Sequence, residues 1–133
     1  MSFVVDTDIC SAYLRGDGRI FSRFVQYAGG IHLSSITVAE LFKWACRAGV
    51  SPKRLVSVQQ LIDESTVVPL NATLAKRVGE TRAALLDRGI VVSIPDLCIA
   101  VTAVELNFTM ATHNVAHFKH VPGIRIQDWI ATS

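Results

Sequence analysis

Short apolar runs alternate along the chain with stretches whose apolar residues recur every three or four positions. Phe3-Val4-Val5 is such a run, and it stops at Asp6. A helical pattern follows through Leu14 to Gly16. A second helix fits Arg19 to Tyr27, with Ile20, Phe24 and Tyr27 on one face and Gly29-Gly30 as its stop. Ile31-His32-Leu33-Ser34 reads as a strand. Thr37 then opens a helix that carries Val38, Leu41, Phe42 and Ala45 at helical spacing. Pro52 sits at the start of the next helix, to about Ile62. Thr66 to Leu70 reads as a strand ended by Pro69. Asn71 caps a longer helix with Leu74, Val78 and Leu85 inward, stopping at Gly89. Pro95-Asp96 begins a mostly apolar helix to about Leu106. Phe108 to Ala111 and Ile124 to Ile126 complete the strands. Apolar strands alternating with helices are the mark of a mainly parallel sheet covered on both faces. The expected fold is a three-layer α/β/α sandwich.

Composition narrows the class. At 133 residues the chain has the size of one domain, expected over 1–133. Half of it is hydrophobic, 18% is charged, and mean hydropathy is +0.39, which excludes disorder. The most apolar stretch, Gly89 to Leu106, is interrupted by Pro95 and Asp96 and reaches Glu105. No uncharged run approaches the ~18 residues of a spanning helix. The opening residues lack a basic segment followed by an apolar one, so a cytoplasmic location with no membrane partner is expected. Cys10, Cys46 and Cys98 are odd in number, far apart and in apolar surroundings, which predicts buried, reduced thiols.

In a parallel α/β sheet, strand C-termini and helix N-termini share one edge, where ligands bind. Asp6, Thr7, Asp8, Ser34, Ser35, Glu40, Asp96, Thr112, Asn114 and His117 should gather there. Carboxylates that converge repel one another unless a cation joins them. Hard oxygen ligands with room for water suit Mg²⁺ or Mn²⁺ beside a substrate phosphate. Each acid also has a purely structural explanation. Thr37-x-x-Glu40 has the form of a capping box, Asp96 could offset a helix dipole, and Asp6 or Asp8 could cap the first helix. Capping alone, however, does not require the acids to converge.

Four motifs in order then carry a resemblance: Val4-Val5-Asp6-Thr7-Asp8-Ile9, Ser35-Ile36-Thr37-Val38-Ala39-Glu40-Leu41, Pro95-Asp96-x-x-Ile99-Ala100, and Ala111-Thr112-His113-Asn114-x-x-His117-Phe118. Together they resemble PIN domains, and the whole chain is similar to toxins of the VapC type. The tail from Val121-Pro122-Gly123-Ile124 to Asp128-Trp129 is similar as well. The resemblance implies a toxin of a toxin–antitoxin pair that cuts RNA with a metal-activated water. It implies Mg²⁺ or Mn²⁺ as cofactor, held by Asp6, Glu40 and Asp96, with Thr112 and Asn114 completing the site. It also implies a cognate antitoxin bound in an apolar groove, a homodimer, and RNA as substrate, with tRNA one candidate. His117 stands where the family normally has a fourth acid, which predicts weak Mg²⁺ binding and a preference for Mn²⁺. Asp8, where the family often has Asn or Ser, could compensate.

Other readings stay open. Asp6-x-Asp8 also resembles the nucleophile motif of haloacid-dehalogenase-type phosphatases, although Cys10 replaces the expected Thr or Val. A receiver domain would need an Asp after its third strand, and none occurs between Asp17 and Asp63. A catalytically decayed PIN-like binding module is a further alternative. His113, His117 and His120, spaced i, i+4, i+7, could form a zinc site on one helix. The net charge of +2 is mild, but setting the three site acids aside leaves 8 acids (11 − 3) against 13 bases. Arg15, Arg19 and Arg23 recur at i, i+4, i+8 as a basic stripe that could meet RNA. Phe21, Phe24, Tyr27, Phe42 and Trp44 supply apolar surface nearby.

Overall fold

Phe3, Val4 and Val5 are all fully buried, although successive side chains of a strand point to opposite faces. Such a strand belongs in the middle of a sheet with both faces covered. In the computed structural model, which describes residues 1–47, 49 and 51–131, this is its position. The elements run β1 (Phe3–Val5), α1 (Thr7–Leu14), α2 (Gly18–Gln26), β2 (Ile31–Ser34), α3 (Ser35–Cys46) and α4 (Pro52–Asp63). Then come β3 (Thr66–Val68), α5 (Ala72–Asp87), α6 (Ile94–Leu106), β4 (Thr109–Ala111), α7 (Val115–Phe118) and β5 (Ile126–Gln127). The five strands lie in the order β3-β2-β1-β4-β5. Every pairing is parallel, with Phe3 opposite Ile31 on one side and Thr109 on the other.

The pleat of β1 divides the core in two. Phe3 and Val5 face one cluster, with Ile9 and Cys10 of α1, Ile20 of α2, Leu41 and Ala45 of α3, and Val58 and Leu61 of α4. Val4 and Met110 face the other, with Val78 and Leu85 of α5, the Leu97–Ala103 segment of α6, and Phe118. The sandwich therefore has helices α1–α4 over one face and α5–α7 over the other. Helix α6 is buried from Leu97 to Ala103 without a break, as suits a helix lodged between the sheet and α5.

Several boundaries differ from the expected ones for local reasons. β3 ends at Val68, because Pro69 has no N–H to give the ladder, and the Leu70 N–H turns instead to Ser35 Oγ at 3.1 Å. The last strand is Ile126–Gln127, two residues later than the apolar pattern of 124–126 suggests. Asn107 ends α6 in the left-handed region, φ 59°, and turns the chain into β4. Cys10 and Cys98 are buried free thiols, but Cys46 is exposed at the end of α3, contrary to expectation. Trp44 and Ala45 precede it, yet the residue falls on the outer side of the helix. Among the described residues no helix is long and apolar enough to cross a membrane.

The two faces are unequal in aromatic content. Phe3 meets Tyr27 at 4.6 Å and Trp129 at 4.9 Å between ring centroids, so the C-terminal segment is fastened under α2. Phe3→Ala should cost about 3–5 kcal/mol in urea unfolding, as buried Phe truncations do. Phe21→Ala, at a position 57% exposed, should move the same curve by roughly 0.5 kcal/mol or less.

Candidate active site

Strand order reverses at β1, which has β2 on one side and β4 on the other. In open α/β sheets the crevice for ligands lies at such a reversal, beyond the strand C-termini. Asp6 follows β1 directly and Thr112 follows β4. The Asp6 N–H extends the ladder by donating to the Ala111 carbonyl at 2.9 Å. Its side chain is 6% exposed and both oxygens are engaged: Oδ1 accepts from the Thr7 N–H and Oδ2 from Thr112 Oγ1, each at 2.8 Å. Thr112 is fully buried, and its hydroxyl accepts from the Asn114 N–H at 3.0 Å. Asp8 lies in the first turn of α1, and its Oδ2 accepts the His113 N–H at 3.1 Å. Asp8 Oδ1 is buried and has no hydrogen-bond partner among the described residues.

Asp6 is disturbed by burial and by its acidic neighbours. Burial pushes the Asp6 pKa up to about 7, and the charges of Asp8 and Asp96 add to that rise. The hydrogen bonds from Thr112 and Thr7 oppose it only in part. Burial, with Asp6 and Asp8, also pushes the Cys10 thiol far up, so it is an inert core group.

The structural explanations of Glu40 and Asp96 fail in an informative way. Helix α3 begins at Ser35 and is capped by Ser34, whose Oγ accepts the Ile36 N–H at 3.2 Å. Thr37 is therefore buried inside the helix and no capping box forms there. Glu40 instead reaches sideways, its Oε1 accepting from Thr7 Oγ1 at 2.9 Å. That hydroxyl lies 3.2 Å from Thr37 Oγ1 as well. Helix α6 is capped by Ser93, whose Oγ accepts the Asp96 N–H at 3.3 Å. The Asp96 carboxylate is thus released from capping, and its Oδ2 lies 2.9 Å from His117 Nε2. Ser93-x-x-Asp96 carries the spacing of a cap signal, so this start was open to sequence reasoning one residue earlier than Pro95.

The remaining expected residues separate. Asn114 precedes α7 with an exposed side chain that makes no cap bond. His113 lies outside α7 and pairs with Asp128 at 3.1 Å, His117 faces Asp96, and His120 is exposed. The three histidines therefore do not share one helix face, because α7 is only four residues long. The basic stripe is also broken: Arg15 caps α1, outside α2. Arg19 is bound to Asp17 at 2.8 Å and to the Ile130 carbonyl at 2.8 Å.

The profile of the PIN domain matches residues 3–124. The chain belongs to the PIN-domain family. That membership replaces the phosphatase and receiver alternatives. The tRNA(fMet)-specific endonuclease VapC of Salmonella typhimurium is 30% identical over 130 residues, 97% of this chain and 98% of that protein. Ribonuclease VapC2 of Haemophilus influenzae is 27% identical over 131 residues, 98% of this chain and 99% of that one. Among solved structures, DNA-bound VapBC from Salmonella typhimurium superposes with a TM-score of 0.91 at 30% identity, covering 97% of this chain and 98% of that chain.

The donor set of this PIN domain fits a hard divalent cation. Asp6, Asp8 and Asp96 offer carboxylate oxygen, with Asp8 and Asp96 close enough to oppose ionisation of Asp6, and Asp8 Oδ1 is a buried oxygen without a donor among the described residues. Among the described residues no three His, Cys, Asp or Glu side chains form a closed cage. Mg²⁺ needs no such cage, since it takes one or two carboxylates and keeps several waters.

The raised Asp6 pKa has a consequence for the metal-free protein. Unfolded, this carboxyl ionises near its ordinary value of about 4; folded, near 7. Between the two the folded chain holds a proton that the unfolded chain has lost. The Asp6 contribution to stability is thus fully present below about pH 4 and is lost as pH rises to about 7. Asp6→Asn, which cannot ionise, should be more stable than the parent at pH 8 by on the order of 4 kcal/mol. The advantage should vanish near pH 4. Urea unfolding of both proteins in EDTA across that range measures it.

Proposed function

We propose that this PIN domain is an Mg²⁺- or Mn²⁺-dependent endoribonuclease and the toxin of a toxin–antitoxin pair. The observation that carries the reading is the buried Asp6 at the sheet reversal, held by Thr112 and Thr7 and opposed by Asp8 and Asp96. Relatives named as ribonucleases along nearly their full length support it. When bound, the cation supplies charge neutralisation and a water acidified for in-line attack at phosphorus. Asp6 and Asp96 would hold it, with Glu40 facing its waters. Thr112 orients Asp6, and Thr7 ties Glu40 to the same turn of α1. His117, with Nε2 2.9 Å from Asp96 Oδ2, would hold that carboxylate in place. Asn114, exposed at the rim, would bond the substrate.

The antitoxin would bind away from this edge. Tyr13, Phe21, Phe24 and Val25 line a groove of about 450 Å³ beside α1 and α2, and Phe21 and Val25 are more than half exposed. Tyr13 stacks on Phe24 at 4.3 Å, which gives the groove a rigid floor. An apolar peptide segment fits that lining. A homodimer and action on tRNA belong to the same reading, the latter because of the substrate named for the Salmonella relative.

Purified protein should cleave total tRNA with added Mg²⁺ or Mn²⁺ and lose all cleavage in EDTA. Asp6→Asn or Asp96→Asn should lower the rate at least about 100-fold while leaving the fold intact by circular dichroism. Undiminished cleavage in EDTA would sink the metal mechanism. RNA binding without any cleavage would favour the decayed binding module.

His117→Asp tests the departure from the family pattern. It adds a hard oxygen beside Asp96, so calorimetric Mg²⁺ titration should tighten and the preference for Mn²⁺ should shrink. An unchanged titration would mean that His117 only holds Asp96 in place.

A further inference from the structure

Glu40, Trp44 and Arg47 follow one another at i, i+4 and i+7 along α3 and its C-cap, so they share one side of the helix. Glu40 stands at the candidate active site through its bond with Thr7. Trp44 is one turn further out, about 6 Å along the axis. It is 36% exposed, whereas the chain's other tryptophan, Trp129, is core. Across the α3–α4 junction, Arg54 places its guanidinium carbon 4.9 Å from the Trp44 ring centroid. Lys43, Arg47, Lys53 and Arg54 are all exposed, and no acid occurs between Glu40 and Asp63 in the sequence. This acid-free segment, which carries four Lys and Arg, therefore begins at a site carboxylate and is built around an exposed indole.

We infer that Trp44 and Arg54, flanked by Lys43, Arg47 and Lys53, form a stacking platform for an unpaired base of the RNA next to the one being cut. The inference rests on the ribonuclease reading. An indole pinned by a guanidinium offers a flat π surface at little entropic cost, and bases of single strands stack on such surfaces. The surrounding cations meet the phosphates on either side. Double-stranded RNA cannot use the platform, because its base faces are already stacked. A protein segment is a poorer match: the apolar groove at Tyr13 and Phe24 suits one, and this surface is cationic throughout. The platform also supplies what the broken arginine stripe does not, since Arg19 is already committed to Asp17 and Ile130.

The test uses the full chain in EDTA, so that RNA is bound and not cut, with a short fluorescein-labelled single-stranded oligoribonucleotide of mixed sequence. By anisotropy, Trp44→Ala should weaken binding roughly tenfold, and Trp44→Phe should retain most of the affinity. Lys53→Ala should lower the slope of log affinity against log salt by about 0.7. Unlabelled single-stranded RNA should quench the tryptophan fluorescence of the parent, and Trp44→Phe, which keeps Trp129, should abolish the quenching. Duplex RNA should neither quench nor compete well. Parent-like binding by Trp44→Ala, in a preparation whose parent cleaves RNA with metal, would overturn the platform and leave the ribonuclease reading standing. So would sedimentation showing that Trp44→Ala separates two copies of the chain, which would make this face an interface. A parent that cleaves no RNA with either metal would instead overturn the ribonuclease reading, while the quenching arm still decides the platform.

Discussion

The buried carboxylate of Asp6 is the constraint around which the crevice is arranged. The fold pulls it out of water at the end of the central strand, then surrounds it with two further acids. Two hydrogen bonds, from Thr7 and Thr112, recover part of the cost but not all of it. A group left in this condition either keeps a proton or waits for a cation. Nothing about sheet packing calls for an acid there; an Asn would cap α1 about as well without the electrostatic penalty. The strain on Asp6 is the electrostatic feature on which the proposed metal site rests. Asp8 Oδ1, buried without a donor, carries the same sign.

The strength of that arrangement depends on rigid neighbours. β1 is buried on both faces, so Asp6 emerges from the least mobile part of the sheet. Thr112 leaves the adjacent strand β4 in parallel register, Val5 opposite Ala111. The two residues that form the shortest side-chain bond in the crevice are thus each one step beyond a paired position. Asp96 is set on α6, the most deeply packed helix. Glu40, half-buried on α3, is brought in by a second residue, Thr7.

Helix capping decides which acids are free. Ser34 and Ser93 satisfy the first N–H groups of α3 and α6, so Glu40 and Asp96 have no structural obligation to those ends. Asp6 does serve as a cap, yet only one of its oxygens is used that way. The division of work between serine caps and carboxylates is what lets acids stand at helix starts and still face a ligand.

The sequence by itself determined the alternation of strands and helices, the parallel sheet covered on both sides, and the edge at which Asp6, Glu40, Asp96 and Thr112 collect. These follow from periodicity and from the position of each residue just after a strand or at a helix start, and both are local properties. Tertiary structure decided which of those side chains meet. Thr7 with Glu40, Asp96 with His117, and Asp8 with the His113 N–H join residues 21 to 105 positions apart, so no local pattern encodes them. The same holds for Arg19, which a helical stripe offers to solvent but which a C-terminal carbonyl and Asp17 engage instead. Cys46 reached the surface because helix rotation, set by how Leu41 and Ala45 pack, turns it outward. Local pattern assigns a residue to an element and an edge; only close packing of distant elements fixes rotation and reach, and hydrogen bonds and charge coupling depend on those.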